Sequence, residues 1–174
     1  LKRNILTIVV LAGIVALLVG FAMPEYRQGE ASIAGRPAKD FALILDGKPI
    51  HLSDLRGKVV VLNFWATWCP PCVEETPSLN DLQTRIAPMG GMVLGVSVDD
   101  DEQAYEQFLK TNNVTFPTFR DTTKSIPTSY GTSMFPETYL IDRQGRIARK
   151  IIGSQVWNAG DISMYVQNLI AQQN

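Results

Sequence analysis

This 174-residue chain is short of cysteine and histidine, with two cysteines, Cys69 and Cys72, and a single histidine, His51. Two cysteines cannot build a disulfide scaffold. One Cys-x-x-Cys pair with one histidine also falls short of the four ligands of a structural zinc. Net charge is lacking too: 16 Lys and Arg stand against 17 Asp and Glu, a balance of -1. No basic stripe gathers to neutralise phosphates, so nothing points to nucleic acid. Internal repeats and low-complexity tracts are absent, and the length suits one domain with a real core.

Charge is also missing from the amino terminus. Ile5 to Met23 contains no charged residue. As a helix it would rise about 28 Å, close to the roughly 30 Å of a bilayer's hydrocarbon core. Lys2 and Arg3 precede it, and Glu25, Arg27 and Glu30 follow with no net positive charge. Positive charge stays on the cytoplasmic side, so residues 1–23 read as a transmembrane signal-anchor with the remaining chain outside the cytoplasm. The competing reading is a cleaved signal peptide. Its apolar region would run about 7–15 residues and end in a small-x-small site. The run here is longer, and the fitting Ser32–Ala34 lies far beyond it. Residues 24–38, polar with Gly and Pro, read as a tether, leaving 39–174 as the folded domain.

Within that domain the hydrophobic pattern alternates between strand and helix. Two short apolar pieces around Asp46-Gly47 signal a β-hairpin, and Ser53 is a candidate cap for a helical turn. "KVVVLNFWA" is a continuous β-branched and aromatic run, as in a strand buried on both faces. "PPCVEETPSLNDLQTRIA" has helical spacing, with a kink expected at Pro77. "GMVLGVSVD" is a second buried strand. "DDDEQAYEQFLKTNN" is an amphipathic helix with acid in its first turn and Asn113 at its end. A short strand at "TFPTFRD", a helix interrupted by Pro127, a hairpin across "DRQGR" and a closing amphipathic helix complete the chain. The order predicts an α/β fold: a mixed sheet with helices on both faces, preceded by an N-terminal β-hairpin. Ligands to such sheets meet the carboxyl ends of the strands, and Cys69 lies just past one.

Three readings of the cysteine pair compete. Zinc lacks ligands. A copper carrier could recruit His51, though a lone histidine in a hairpin strand is more often packed or solvated. A structural disulfide closing so small a loop would restrict the unfolded chain little. The third reading is a redox pair. At a helix start, unpaired N–H groups and the dipole's positive end would stabilise a Cys69 thiolate. Pro70 suits the first turn, and Cys72, almost one turn on, is placed to resolve a mixed disulfide.

"VVVLNFWATWCPPCVEETP" together with "GTSMFPETYLIDRQGRI" resembles the thioredoxin superfamily, and more narrowly its membrane-anchored TlpA/ResA/CcmG (DsbE) branch, over residues 37–172. The resemblance implies a thioredoxin-like fold and makes Pro136, after Phe135, a cis-proline whose neighbouring backbone pairs with substrate. Glu75, one turn beyond Cys72, becomes a proton-exchanging carboxylate, with Glu74 an ordinary solvated neighbour. Asn63 stands where ordinary thioredoxins carry a buried aspartate. It cannot exchange a proton, which strengthens the reading of Glu75. Glu137 reads either as an acid at the rim that selects a basic substrate segment or as a surface residue. Trp65 is expected in the core and Trp68 on an exposed rim beside Cys69. The implied activity is reduction of protein disulfides by Cys69 and Cys72, with no cofactor beyond their own disulfide. The implied partners are a membrane electron donor of the DsbD or CcdA kind and a client such as apocytochrome c. Copper-centre assembly and a peroxiredoxin-like peroxidase stand as alternatives.

Overall fold

In the computed structural model of the protein, the β-branched run forms β3 (Val59–Trp65), buried along its whole length. The structure describes Gly13, residues 33–45 and residues 47–172, so the expected membrane helix over 1–23, apart from Gly13, lies outside the described residues. Among the described residues no helix is long and apolar enough to cross a membrane. The elements are β1 (Ala42–Leu45), β2 (Lys48–His51), β3, α1 (Pro70–Ile86), β4 (Gly91–Ser97), α2 (Glu102–Thr111), β5 (Thr118–Arg120), α3 (Ser125–Tyr130), β6 (Glu137–Ile141), β7 (Ile147–Ile152) and α4 (Gly160–Ala171). β1 and β2 form the expected separate hairpin. The remaining strands make one mixed sheet in the order β5-β4-β3-β6-β7. β3, β4 and β5 run parallel, while β6 and β7 run antiparallel to their neighbours.

Two successive crossovers, β3-α1-β4 and β4-α2-β5, step in the same direction across the sheet. Right-handed connections therefore place α1 and α2 on one face. Alternation along β3 divides the core. Val59 and Val61 pack with Leu79, Leu82 and Ile86 of α1 and with Val166, Leu169 and Ile170 of α4. Val60, Leu62 and Phe64 pack on the other face with Leu43, Leu52, Leu55 and Tyr139, joined by Ile126 and Tyr130 of α3. Helices thus occupy both faces, but the second carries only short α3, a 3-10 turn (Leu52–Leu55) and the hairpin. Each fully buried Leu or Ile contributes roughly 1.5–3 kcal/mol.

Three expectations are adjusted. The tether does not extend to residue 38. Gly35 and Ala38 donate backbone hydrogen bonds to Ile147 and Gly145, and Pro37 bridges Arg146, so the folded unit already includes residues 35–38. Ser53 does not cap the turn. It lies within it, and its N–H and hydroxyl both donate to Asp40. Pro127 does not interrupt a helix, because it stands in the first turn of α3, where its missing N–H is not needed. α1 continues through Pro77 as a single helix. Asn113 adopts φ 47° just beyond α2, the left-handed conformation that suits a helix end.

Candidate active site

The turn between β3 and α1 carries both cysteines. Cys69 is the N-cap of α1, with extended backbone, and Pro70 opens the helix. Cys72 lies on the same face one turn in, and the two are joined as a disulfide with Cα atoms 5.3 Å apart. They share a small apolar cluster with Trp65, Ala66, Val98 and Tyr105, against which Phe135 packs. Cys69 is 5% exposed and Cys72 1%. Cys69 therefore offers the narrow approach, and Cys72 is closed to a large partner.

The expected cushion of unpaired N–H groups is missing. The N–H of Cys69 donates to Ala66, and that of Cys72 donates to Cys69. Pro70 and Pro71 have no N–H at all. The helix dipole remains at the tip to favour a thiolate. The turn itself is held by Asp99, a buried carboxylate at the end of β4. It accepts from the N–H and hydroxyl of Thr67 and from the hydroxyl of Ser97. Gly95 lies beneath Trp65, where an added Cβ would stand 2.9 Å from the indole nitrogen.

Glu75 is 3% exposed, deep on the α1 face. Asn63 Nδ2–H donates to its Oε1 at 2.9 Å and also to Thr138 Oγ1 at 2.9 Å. Trp157 Nε1–H and Gln155 N–H donate to Oε2 at 2.9 and 3.1 Å. Burial pushes the carboxyl up and the bonds from Trp157, Gln155 and Asn63 pull it back, leaving its pKa raised to about 7. A buried acid poised there can give or take a proton at ordinary pH.

The third component is the loop before β6. The Phe135-Pro136 bond is cis, and Pro136 is buried immediately before Glu137. The Phe135 ring meets Trp68 edge-on at 6.0 Å, and Trp68 is 62% exposed. Trp65 is buried, as its apolar surroundings require.

Glu137 is neither a rim acid nor a surface residue. It is 2% exposed and its Oε1 meets Lys150 Nζ at 2.9 Å. Thr132 Oγ1–H and Tyr139 Oη–H donate to the same oxygen. The physical reason is strand alternation: Asn63 and Thr138 pair across β3 and β6 and face α1, so Glu137 must face the other side, over Tyr139 and Lys150. For Lys150, burial lowers the pKa, but the bonds to Glu137 and Tyr139 outweigh it and the pKa is raised.

The remaining histidine does not join the site. His51 is exposed in β2 against Asp40 at 3.1 Å. Among the described residues no group of three His, Cys, Asp or Glu could hold a metal. Sequence reasoning missed Asp99, Lys150, Gln155 and Trp157. A tryptophan after the last strand, in the loop stretch "GSQVWN", was the one visible signal.

Comparison with known proteins agrees with this geometry. A model described as the AhpC/TSA family matches residues 34–150. The thiol-disulfide oxidoreductase ResA of a Bacillus cereus strain is 35% identical over 157 residues, covering 88% of this chain and 91% of that protein. ResA of Bacillus subtilis (strain 168) is 37% identical over 128 residues, 72% of each chain. Among solved structures, a Chlorobium tepidum protein assigned as thiol:disulfide interchange protein DsbE superposes with a TM-score of 0.73 at 30% identity, covering 79% of this chain and 97% of that one.

Proposed function

We propose, for a chain that belongs to the AhpC/TSA family and is a thiol–disulfide oxidoreductase of the ResA kind, that it works outside the cytoplasm as a membrane-anchored reductase of protein disulfides in cytochrome c maturation. The observation that carries the reading is the Cys69–Cys72 disulfide at the head of α1, flanked by cis-Pro136 and underlain by the raised carboxyl of Glu75.

In the reduced enzyme the Cys69 thiolate attacks one sulfur of a client disulfide. A Cys69–client bond forms, the client's S–S bond breaks, and the second client sulfur leaves as a thiolate that takes a proton from solvent. Glu75 then accepts the Cys72 proton. The Cys72 thiolate attacks Cys69 Sγ, the mixed disulfide breaks, and the first client sulfur leaves. The client gains two electrons, and the enzyme ends as the disulfide seen here. Trp68, Phe135 and the backbone beside Pro136 receive the client. The compartment is oxidising, so electrons must return through a membrane donor of the DsbD or CcdA kind. The client chemistry that fits is the thiol pair of an apocytochrome c, which must be reduced before haem attachment.

The test is capture in cells. Cys72→Ser should accumulate a mixed disulfide through Cys69 with apocytochrome c, and Cys69→Ser should reduce nothing. Full reductase activity in both variants would overturn the mechanism. A copper-centre protein as the captured client would overturn the assignment to cytochrome c.

A further inference from the structure

The loop after β7 contains two of the three donors that hold Glu75, and neither is needed for the reading of the cysteines. Trp157 is fully enclosed, and its main-chain N–H donates to Ser78 Oγ at 3.1 Å. Ser78 Oγ–H in turn donates to the Glu75 carbonyl at 2.8 Å. Farther along, Arg85 donates to the Asn158 carbonyl, and Asn158 Nδ2–H donates to Asp81. The loop is thus stapled along α1, and the indole N–H is aimed at the carboxylate by a frame that leaves it no alternative. We propose that Trp157 is a positioning residue for the reaction: its indole N–H, with the N–H of Gln155, fixes Oε2 of Glu75 and sets how readily that carboxylate exchanges a proton with Cys72. This deepens the function proposed above and rests on it.

The case stands on which groups face the carboxylate. From β3 it meets Asn63, with Thr138 of β6 behind, and from the loop Gln155 and Trp157. On its own helix Ser78 donates to its main-chain carbonyl rather than to the carboxylate, and Cys72 lies one turn before it. None of these groups carries a charge while the disulfide is closed, and no charged neighbour contributes to its shift. Every hydrogen bond to the two oxygens comes from a donor, and both hydrogens of Asn63 Nδ2 are already committed. Proton affinity at Glu75 is therefore a contest between dehydration, which favours the acid, and three neutral donors, which favour the anion. The indole N–H is the one side-chain donor on Oε2. Removing it while keeping an aromatic ring in place favours the protonated form. A hydrogen bond to a charged acceptor of this kind corresponds to about one to two pH units.

The test uses the full chain and oxidised glutathione as probe disulfide. Release of the second glutathione thiol reports the Cys72 step. In the native protein this rate should rise with pH through about 7, where Glu75 ionises. Trp157→Phe should move the midpoint upward by about one to two pH units. In a Glu75→Gln background the same change should leave the profile unmoved. A second measurement needs no variant to fold. The Trp157 indole N–H resonance of the native oxidised protein should titrate with the same midpoint. An indole resonance that stays flat from about pH 5 to 9, or a Trp157→Phe midpoint equal to the native one, overturns the inference and leaves the reductase intact. A Glu75→Gln enzyme that keeps the native inflection removes the role of Glu75 and this inference together. A native protein that never releases the second thiol defeats the reductase reading itself.

Discussion

Glu75 and Glu137 are two carboxylates buried to the same degree, 3% and 2% exposed, on opposite faces of one sheet. Their surroundings differ in one respect. Glu75 meets only neutral donors, so burial is uncompensated by charge and the proton affinity climbs. Glu137 meets an ammonium, Lys150, and shares its oxygen with Thr132 and Tyr139. The first arrangement yields a group that can change its proton. The second yields a rivet that ties the loop before cis-Pro136 to β7. Depth alone does not make a buried acid catalytic. The charge of its neighbour decides.

The largest effect should come from breaking the rivet. Lys150→Met leaves Glu137 buried without its cation, and urea unfolding should show a loss of about 3–5 kcal/mol. A loss below about 1 kcal/mol would mean that the pair is not the support described here.

The next effect reads Glu75 through the pH dependence of stability. Glu75 has an ordinary value of 4.5 in an unfolded chain and about 7 in the fold. As pH rises between these values the unfolded chain releases its proton first, so folding loses stability. The loss amounts to roughly 3 kcal/mol, complete once pH passes the folded value. The extra stability is fully present below the unfolded value. Glu75→Gln should flatten this slope, whatever its absolute stability, in unfolding measurements from about pH 4 to 8.

A sharper form of the comparison is kinetic. Glu137→Gln should leave the pH midpoint of the Cys72 step within about 0.3 unit of the native value, while Glu75→Gln abolishes it. A shift of a full unit in the first variant would make Glu137 part of the proton chemistry.

The smallest effect concerns the rim. Trp68→Ala should cost about 1 kcal/mol or less in stability, since the side chain is exposed and touches chiefly Phe135. It should weaken a protein client by about 1 kcal/mol, a roughly fivefold rise in KM, and leave glutathione kinetics unchanged.

The contrast between the acids also shows what could be read in advance. Glu75 was legible because it lies one turn from Cys72 on the same helix, and helical geometry is local. Glu137 was not, because its neighbour Lys150 comes from the next strand and the face it occupies depends on register. The two prolines after Cys69 were plain in the sequence, yet their consequence was missed. They remove donors that a helix tip ordinarily offers, and the N–H groups that remain are taken by Ala66 and Cys69. Asp99 gave no signal, being one acid in a run of four whose other members Asp100, Asp101 and Glu102 lie exposed.

By itself the sequence determined the strand-and-helix order, the reactive pair at the head of α1 and the carboxyl one turn below it. These follow from periodicities of two and 3.6 residues and from spacings shorter than a single helix. Only the tertiary structure decided that Glu75 is dehydrated among neutral donors, that Cys69 is nearly enclosed and that a tryptophan after the last strand reaches back to Glu75. Those outcomes depend on burial and on partners about 80 residues away in the chain, the Gln155–Glu75 bond spanning 80. Dehydration and hydrogen bonding act through space, and no local pattern encodes them.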